Sequence, residues 1–150
     1  MAAPPFQTMI VVVDGSESAV KAAEYAIQMG RAMSLKLVAV SVVDTETLRK
    51  LMSVRILVEQ EVAEFESEME RSQHRQLDQI LQIARKAGVA LDTVVRKGVA
   101  HSVVLAEQRE RKADVIVIGG FRSTITKHDL IARERQLIVD EASCTVLIVK

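Results

Sequence analysis

Four side chains suited to acid–base chemistry or metal binding follow apolar runs of the sequence that indicate buried strands. Asp14 and Asp44 follow the first two runs, and His101 and His128 follow the next two. The carboxyl ends of parallel strands meet at one edge of a sheet, so these groups could share a rim. Such a rim would suit a hydrolase or a weak metal site. Loop histidines are commonly ordinary surface residues, however, and we expect no catalytic residue and no metal site.

Local motifs for the common chemistries are missing from the sequence. It contains no GxxxxGK[ST] phosphate loop, no GxGxxG after a strand, no CxxC and no HExxH. Its serines lack the GxSxG context of a strand-to-helix nucleophile. The single cysteine, Cys144, lies in the apolar run CTVLIVK, which favours a buried, inert thiol. These absences favour a protein that is not an enzyme.

Length and charge narrow the class of protein. The 150 residues suit one domain, and 20 basic side chains balance 20 acidic ones, so the formal net charge is zero. Nucleic acid and anionic membranes usually select a basic surface, and we expect neither as a partner. No run of about 18 apolar residues or secretory leader occurs, and we expect a cytoplasmic protein. Residues 1–7 are expected to form a flexible tail before a single domain at 8–150.

Five short apolar runs alternate with stretches of helical periodicity. The runs are 8–13, 35–43, 91–96, 114–119 and 144–149. The third run has the most polar interruptions, which is typical of an edge strand. The helical stretches are 16–34, 45–87, 101–112 and 130–142, and the second is long enough to bend near Met52 and Ser53. This alternation predicts an α/β fold, a doubly wound five-stranded parallel sheet with helices on both faces.

Three segments resemble the universal stress protein family. MIVVVDGSESAVKAAEYAI is similar to that family's first strand, acidic loop and first helix. VVRKGVAHSVVLAEQRERKADVIVIGG is similar to its third and fourth strands with the helix between them, and CTVLIVK to its last strand. The resemblance implies strand order 3-2-1-4-5. It also implies a crevice between the first and fourth strands, with Asp14 and Gly119 on its two sides.

Members of this family that bind ATP share a glycine-rich signature after the fourth strand. The signature is a glycine, two residues, a glycine, nine residues, then glycine followed by serine or threonine. In this sequence the four positions are held by Gly119, Arg122, Ala132 and Arg133. Glycines let backbone N–H groups approach phosphate, whereas an arginine at the second position would fill that space. The resemblance therefore implies loss of the usual ATP-binding mode and no cofactor.

An alternative is that arginines have replaced the glycine-rich loop as a binding site for another anion. Arg122, Lys127, Arg133 and Arg135 add positive charge near it, and arginine binds phosphate directly. We expect instead that Arg133, Glu134 and Arg135 form a solvated helix face. The resemblance also implies contacts with adenine, ribose or nucleotide for the following residues: Asp14, Val42 or Val43, and Gly98.

The leading hypothesis is a non-enzymatic regulatory or protective protein, similar to universal stress proteins. The alternatives are a protein that binds ATP, AMP, a cyclic nucleotide or a small anion, and a weak hydrolase using the Asp–His rim. An exposed last strand would invite pairing, and the family's common dimer uses it. We therefore expect a homodimer, with an unidentified protein partner left open. The expected interface residues are Thr145, Val146, Leu147, Ile148 and Val149.

Overall fold

A computed structural model describes residues 6–53, 59–121 and 130–150. The described strands form one parallel sheet in the order β3-β2-β1-β4-β5. They are β1 (Thr8–Val13), β2 (Lys36–Asp44), β3 (Leu91–Gly98), β4 (Val115–Gly119) and β5 (Thr145–Val149). This confirms the predicted fold class and strand order. It also confirms the third strand as an edge, with β5 at the other edge.

Five helices connect the strands of the described chain. They are α1 (Glu17–Met33), α2 (Thr45–Ser53), α3 (Glu59–Lys86), α4 (Ala100–Arg111) and α5 (Leu130–Glu141). The predicted second helical stretch is thus two helices, α2 and α3. Other boundaries differ from the predicted ones by one or two residues, as helix and strand ends commonly do. Arg122 and His128 lie outside the described residues.

The sheet is buried on both faces because its central strands are apolar at most positions. On one face, Val11 and Val117 pack with α1 and α3 through Ala23 and Ile80. On the opposite face of the sheet, the neighbouring residues of the same strands pack against α4 and α5. Alternate strand residues point to opposite faces, so a continuous run of Val and Ile serves both helical layers.

The amino end of the sheet is closed by backbone and carboxylate contacts. The Asp114 side chain accepts the backbone N–H groups of Thr8 and Gln7 at 2.9 and 2.8 Å. These bonds favour the ionised form and lower the pKa of Asp114. Phe6 packs against the α1 side of the core.

Along these described ranges, no helix combines the length and apolarity needed to cross a bilayer.

Helix α1 begins where the sequence supplies a cap. The Ser16 side chain accepts the N–H of Ala19, and Glu17 places a negative charge in the first turn. The capping serine directly follows the turn that leaves β1. The start of α1 is therefore fixed beside the carboxyl ends of β1 and β4, which pair in the centre of the sheet.

Candidate functional site

A buried arginine occupies the crevice between the carboxyl ends of β1 and β4. Arg135 comes from α5 and is only 5% exposed. Its Nε donates to Oδ2 of Asp14 at 3.0 Å, and its Nη2 lies 2.8 Å from the same oxygen. Nη2 also donates to Ser16 Oγ at 2.7 Å, and Nη1 donates to the carbonyl of Gly120 at 2.8 Å. The guanidinium thus ties α5 to the ends of β1 and β4.

Gly119 allows the arginine to approach this closely. A Cβ built on Gly119 would lie 2.8 Å from Arg135 Nη2 and 2.6 Å from Ser18 Oγ. It would also lie 2.9 Å from the backbone carbonyl carbon of Ser18. These distances leave no room for a side chain, so glycine is required by close packing at the switch point of the sheet.

Asp14 makes a local turn as well as the ion pair. Its Oδ1 accepts the Ser16 N–H at 3.2 Å and the Ser16 hydroxyl at 2.6 Å. From α3, the Gln76 side chain accepts the Gly15 N–H at 3.0 Å and donates to the Ser16 carbonyl at 3.1 Å. The turn after β1 is therefore held by groups of the protein itself on two sides.

A cavity of about 280 Å³ opens beside this arginine. Most of its wall is apolar, but three carboxylates and one guanidinium also line it. The lining residues are Val12, Asp14, Val42, Asp44, Phe65, Met69, Gln73, Ala100, Ile131, Glu134, Arg135 and Ile138. Its volume is just below the roughly 300–1,000 Å³ typical of ligand pockets. The cavity therefore suits a small ligand.

A buried glutamine closes the β2 side of the cavity. Gln73 of α3 is 5% exposed. Its Nε2 donates to the Val42 carbonyl at 2.9 Å, and its Oε1 accepts the Ser41 hydroxyl at 2.6 Å. The Val42 carbonyl, at the strand end where the family resemblance implies contact with a base, already accepts this bond.

A glutamate and a histidine pair at the start of α4. Glu134 Oε2 accepts the backbone N–H of His101 at 2.7 Å and lies 2.7 Å from His101 Nδ1. A carboxylate at this position also interacts favourably with the N-terminal end of the helix dipole. His101 Nε2 lies 3.4 Å from Ser102 Oγ. The contacts between Glu134 and His101 therefore join α5 to α4.

The residues proposed from the sequence take different positions around the crevice. Asp14 and Val42 line the 280 Å³ cavity, whereas Val43 is buried and is not in its wall. Gly98, with φ +142°, lines a separate cavity of about 640 Å³ together with Lys97. Arg133 is exposed on α5.

The separate cavity lies beside an ion-pair cluster that joins β3 to α3. The Lys97 ammonium lies 2.6 Å from a Glu70 oxygen and 2.9 Å from a Glu66 oxygen. Hydrogen bonds to Glu70 and Glu66 raise the pKa of Lys97 well above its usual range. Lys97 is therefore ion-paired with α3, and its ammonium is not available to bind a ligand in the separate cavity.

The expectation that Arg135 belongs to a solvated helix face was wrong. Ile131, Glu134, Arg135 and Ile138 recur at i, i+3, i+4 and i+7, which places them on one side of α5. That spacing could have predicted the burial of Arg135, because it places two charged residues within the apolar stripe of α5. Only the partner Asp14, 121 positions away in sequence, explains how the charge is accommodated.

The candidate acid–base groups among the described residues are bonded to other side chains. Asp14 is paired with the Arg135 guanidinium, and the Glu134 carboxylate lies against His101 Nδ1, which fixes the orientation of the imidazole. Within the described ranges, no three His, Cys, Asp or Glu side chains cluster closely enough to hold a metal ion. Half-buried Cys144 has its pKa raised by burial, which disfavours the nucleophilic thiolate.

Comparison with known proteins supports the resemblance along nearly the whole chain. The model of the universal stress protein family matches residues 5–150. The universal stress protein MJ0531 of Methanocaldococcus jannaschii is 25% identical over 146 residues, covering 97% of this chain and 82% of that protein. YxiE of Bacillus subtilis, also a universal stress protein, is 22% identical over 147 residues, covering 97% and 99%.

Solved structures share the fold at low sequence identity. The hypothetical protein MJ0577 has a TM-score of 0.78 at 16% identity, over 98% of this chain and 97% of that one. A universal stress protein in complex with cAMP has a TM-score of 0.67 at 20% identity, over 97% of each chain. The Archaeoglobus fulgidus protein in complex with dAMP also scores 0.67, at 14% identity, over 98% and 100%. With the family match over residues 5–150, the chain belongs to the universal stress protein family.

Proposed function

We propose that this protein is a non-enzymatic regulatory or protective protein that does not bind ATP in the family's usual mode. The observation that carries the proposal is the position of Arg135. Its guanidinium lies against Gly119, where the family resemblance implies phosphate, and it bonds Asp14, Ser16 and the Gly120 carbonyl. A phosphate would have to displace a side chain whose three guanidinium nitrogens are each already bonded within the protein.

The energetic argument concerns the Asp14–Arg135 pair. Both groups are largely removed from water, with side-chain exposures of 18% and 6%. Separating a buried pair typically costs about 3–5 kcal/mol because it leaves uncompensated charge. That penalty would reduce the affinity for a phosphate placed here by about two to four orders of magnitude. The sequence supports the same proposal, since arginines stand at two of the four signature positions.

Thermal unfolding with and without Mg-ATP tests this proposal. At about one hundred times Kd, a ligand that binds only the folded state adds about 2.7 kcal/mol to its stability. We expect no change in Tm for this protein and a clear rise for the neighbour crystallised with cAMP, assayed with cAMP as a positive control. A rise in Tm with ATP would contradict the proposal.

Catalysis is tested by phosphate release from ATP. We expect release at the level of a buffer blank, both for the natural sequence and for Asp14→Asn. Release above the blank that is lost in Asp14→Asn would support the weak-hydrolase alternative, because Asp14 is the carboxylate at the proposed rim.

The second candidate function is binding of an adenine nucleotide or small anion through arginine. It is favoured by the two structural neighbours that were solved with cAMP and dAMP. AMP or cAMP would then raise the Tm, and Arg133→Gln would abolish the rise while Arg109→Gln, an exposed control on α4, would not. A rise that Arg133→Gln leaves unchanged, or no rise with either nucleotide, would contradict this second candidate. The homodimer and a cytoplasmic location stay predictions.

A further inference from the structure

We propose that the 280 Å³ cavity binds an uncharged, mostly apolar small molecule and discriminates against anions. The inference rests on the proposed function, since it needs the phosphate side of the crevice to be closed. It assigns a ligand class to the same site. Three observations support it: the polar groups of the walls are engaged, the charge at the cavity is acidic, and apolar side chains are left exposed around it.

The polar groups around the cavity are bonded within the protein. Arg135 is bonded to Asp14, Glu134 to His101, and Gln73 to Ser41 and the Val42 carbonyl. A ligand that depends on these donors and acceptors would compete with bonds already made. Apolar contact with Val12, Met69 and Ile138 does not face this competition.

The charge of the described lining residues disfavours anions. Asp14, Asp44 and Glu134 carry carboxylates, and Arg135 supplies the single guanidinium among the described lining residues. The positive charge of Arg135 is paired with Asp14, with Nη2 lying 2.8 Å from Oδ2. An anion entering the cavity would meet a described lining with three carboxylates and one guanidinium, in surroundings of lower dielectric than water, so repulsion would weaken its binding.

Exposed apolar side chains lie at the edge of this cavity. The described residues include four large apolar side chains that are exposed, and two of them, Phe65 at 49% and Ile131 at 37%, line it. They come from α3 and α5, which pack on opposite faces of the sheet. An apolar ligand in the cavity would cover part of both side chains, which supplies a driving force without polar contacts.

Two fluorescent probes with the same ring system test the inference. N-phenyl-1-naphthylamine is uncharged, and 1-anilinonaphthalene-8-sulfonate adds one sulfonate to the same rings. We expect the uncharged probe to bind with enhanced fluorescence and the sulfonate to bind at least about tenfold more weakly. Equal or tighter binding of the sulfonate would overturn the proposal, as would no binding of the uncharged probe.

Substitutions on α4 locate the probe. Ala100→Leu adds three carbons inside the cavity, and Ala106→Leu makes the same change at an exposed position of the same helix. We expect Ala100→Leu to weaken the uncharged probe at least about fivefold and Ala106→Leu to change its Kd less than about twofold. If Ala100→Leu binds the probe as the natural sequence does, the probe sits elsewhere and the proposal is overturned.

Removing one carboxylate tests the origin of the discrimination. Asp14→Asn keeps an oxygen that can accept from Arg135 but leaves the guanidinium charge beside the cavity without its countercharge. We expect the sulfonate to bind within about threefold of the uncharged probe in this variant. Discrimination that stays unchanged in folded Asp14→Asn would contradict an electrostatic origin. ATP binding to the natural sequence would contradict the proposed function, whereas failure of the uncharged probe alone would contradict only this inference.

Discussion

Arg135 joins three elements at the crevice between β1 and β4. The guanidinium bridges α5 to the turn after β1 and to the backbone after β4. Because it is buried, its charge needs Asp14, and Asp14 in turn orders the turn that caps α1 through Ser16. Residues that would face a ligand in an open crevice thus contribute here to the stability of the fold.

Replacing the arginine with methionine should destabilise the protein. Arg135→Met keeps an unbranched apolar chain but leaves Asp14 without its charged partner. We expect the free energy of unfolding, measured by urea denaturation, to fall by about 3 kcal/mol, at the low end for a broken buried pair because Asp14 is 18% exposed. Arg133→Met, the same change at an exposed site of α5, should change it by less than about 0.5 kcal/mol.

A double variant separates the ion pair from packing. Asp14→Asn combined with Arg135→Met leaves no lone charge, so it should lose less stability than the sum of the two single variants. Additive losses would show that Asp14 and Arg135 stabilise the protein independently.

At the scale of elements, α3 connects the ends of two strands through glutamines one helical turn apart. Gln73 bonds to Ser41 and Val42 at the end of β2, and Gln76 bonds to Gly15 and Ser16 after β1. Leu77, Ile80 and Ala84 on the same helix bury their side chains against the sheet. The apolar residues hold α3 to the sheet, while the glutamines align its middle with the strand ends.

Removal of the buried glutamine tests this alignment. Gln73→Ala leaves the Val42 carbonyl and the Ser41 hydroxyl without this partner in a buried site, and each unsatisfied group costs about 1–3 kcal/mol. We expect unfolding in urea to show a loss of about 2–4 kcal/mol. Gln82→Ala, exposed on the same helix, should cost less than about 0.5 kcal/mol. Equal effects of the two variants would refute a bridging role for Gln73.

At the scale of the whole molecule, the edge strand β5 offers a surface for association. Within the described sheet, β5 pairs only with β4. Ile148 is 42% exposed, and Tyr25, 51% exposed, lines the same surface cavity as Ile148. An unpaired apolar strand is a template for association, and a second copy could cover it with two-fold symmetry.

Light scattering after size-exclusion chromatography tests the predicted homodimer. We expect the natural sequence to have twice the monomer mass and Ile148→Lys to shift the protein toward monomer, because the charge would be buried at the interface. Thr93→Lys, exposed on the opposite edge strand β3, should leave the dimer intact. A monomer at high micromolar concentration for the natural sequence would show the prediction to be wrong.

Local sequence determines most of the fold. Continuous runs of Val and Ile require burial on both faces, and the connections between them are long enough for crossover helices. Ser16 and Glu17 specify where α1 begins, because a cap and a first-turn charge act over a few residues. The division of the long helical stretch into α2 and α3 was not predicted beyond a bend near Met52 and Ser53.

The contents of the crevice depend on tertiary structure. Sequence identified Asp14 and Gly119 at the strand ends, but the partner of Asp14 is 121 positions away on α5. Helical spacing could place Arg135 within an apolar stripe, yet only the packing of α5 on the sheet brings its guanidinium to Asp14. A charge can be buried only where a partner meets it in space, and the chain forms that pair when it folds.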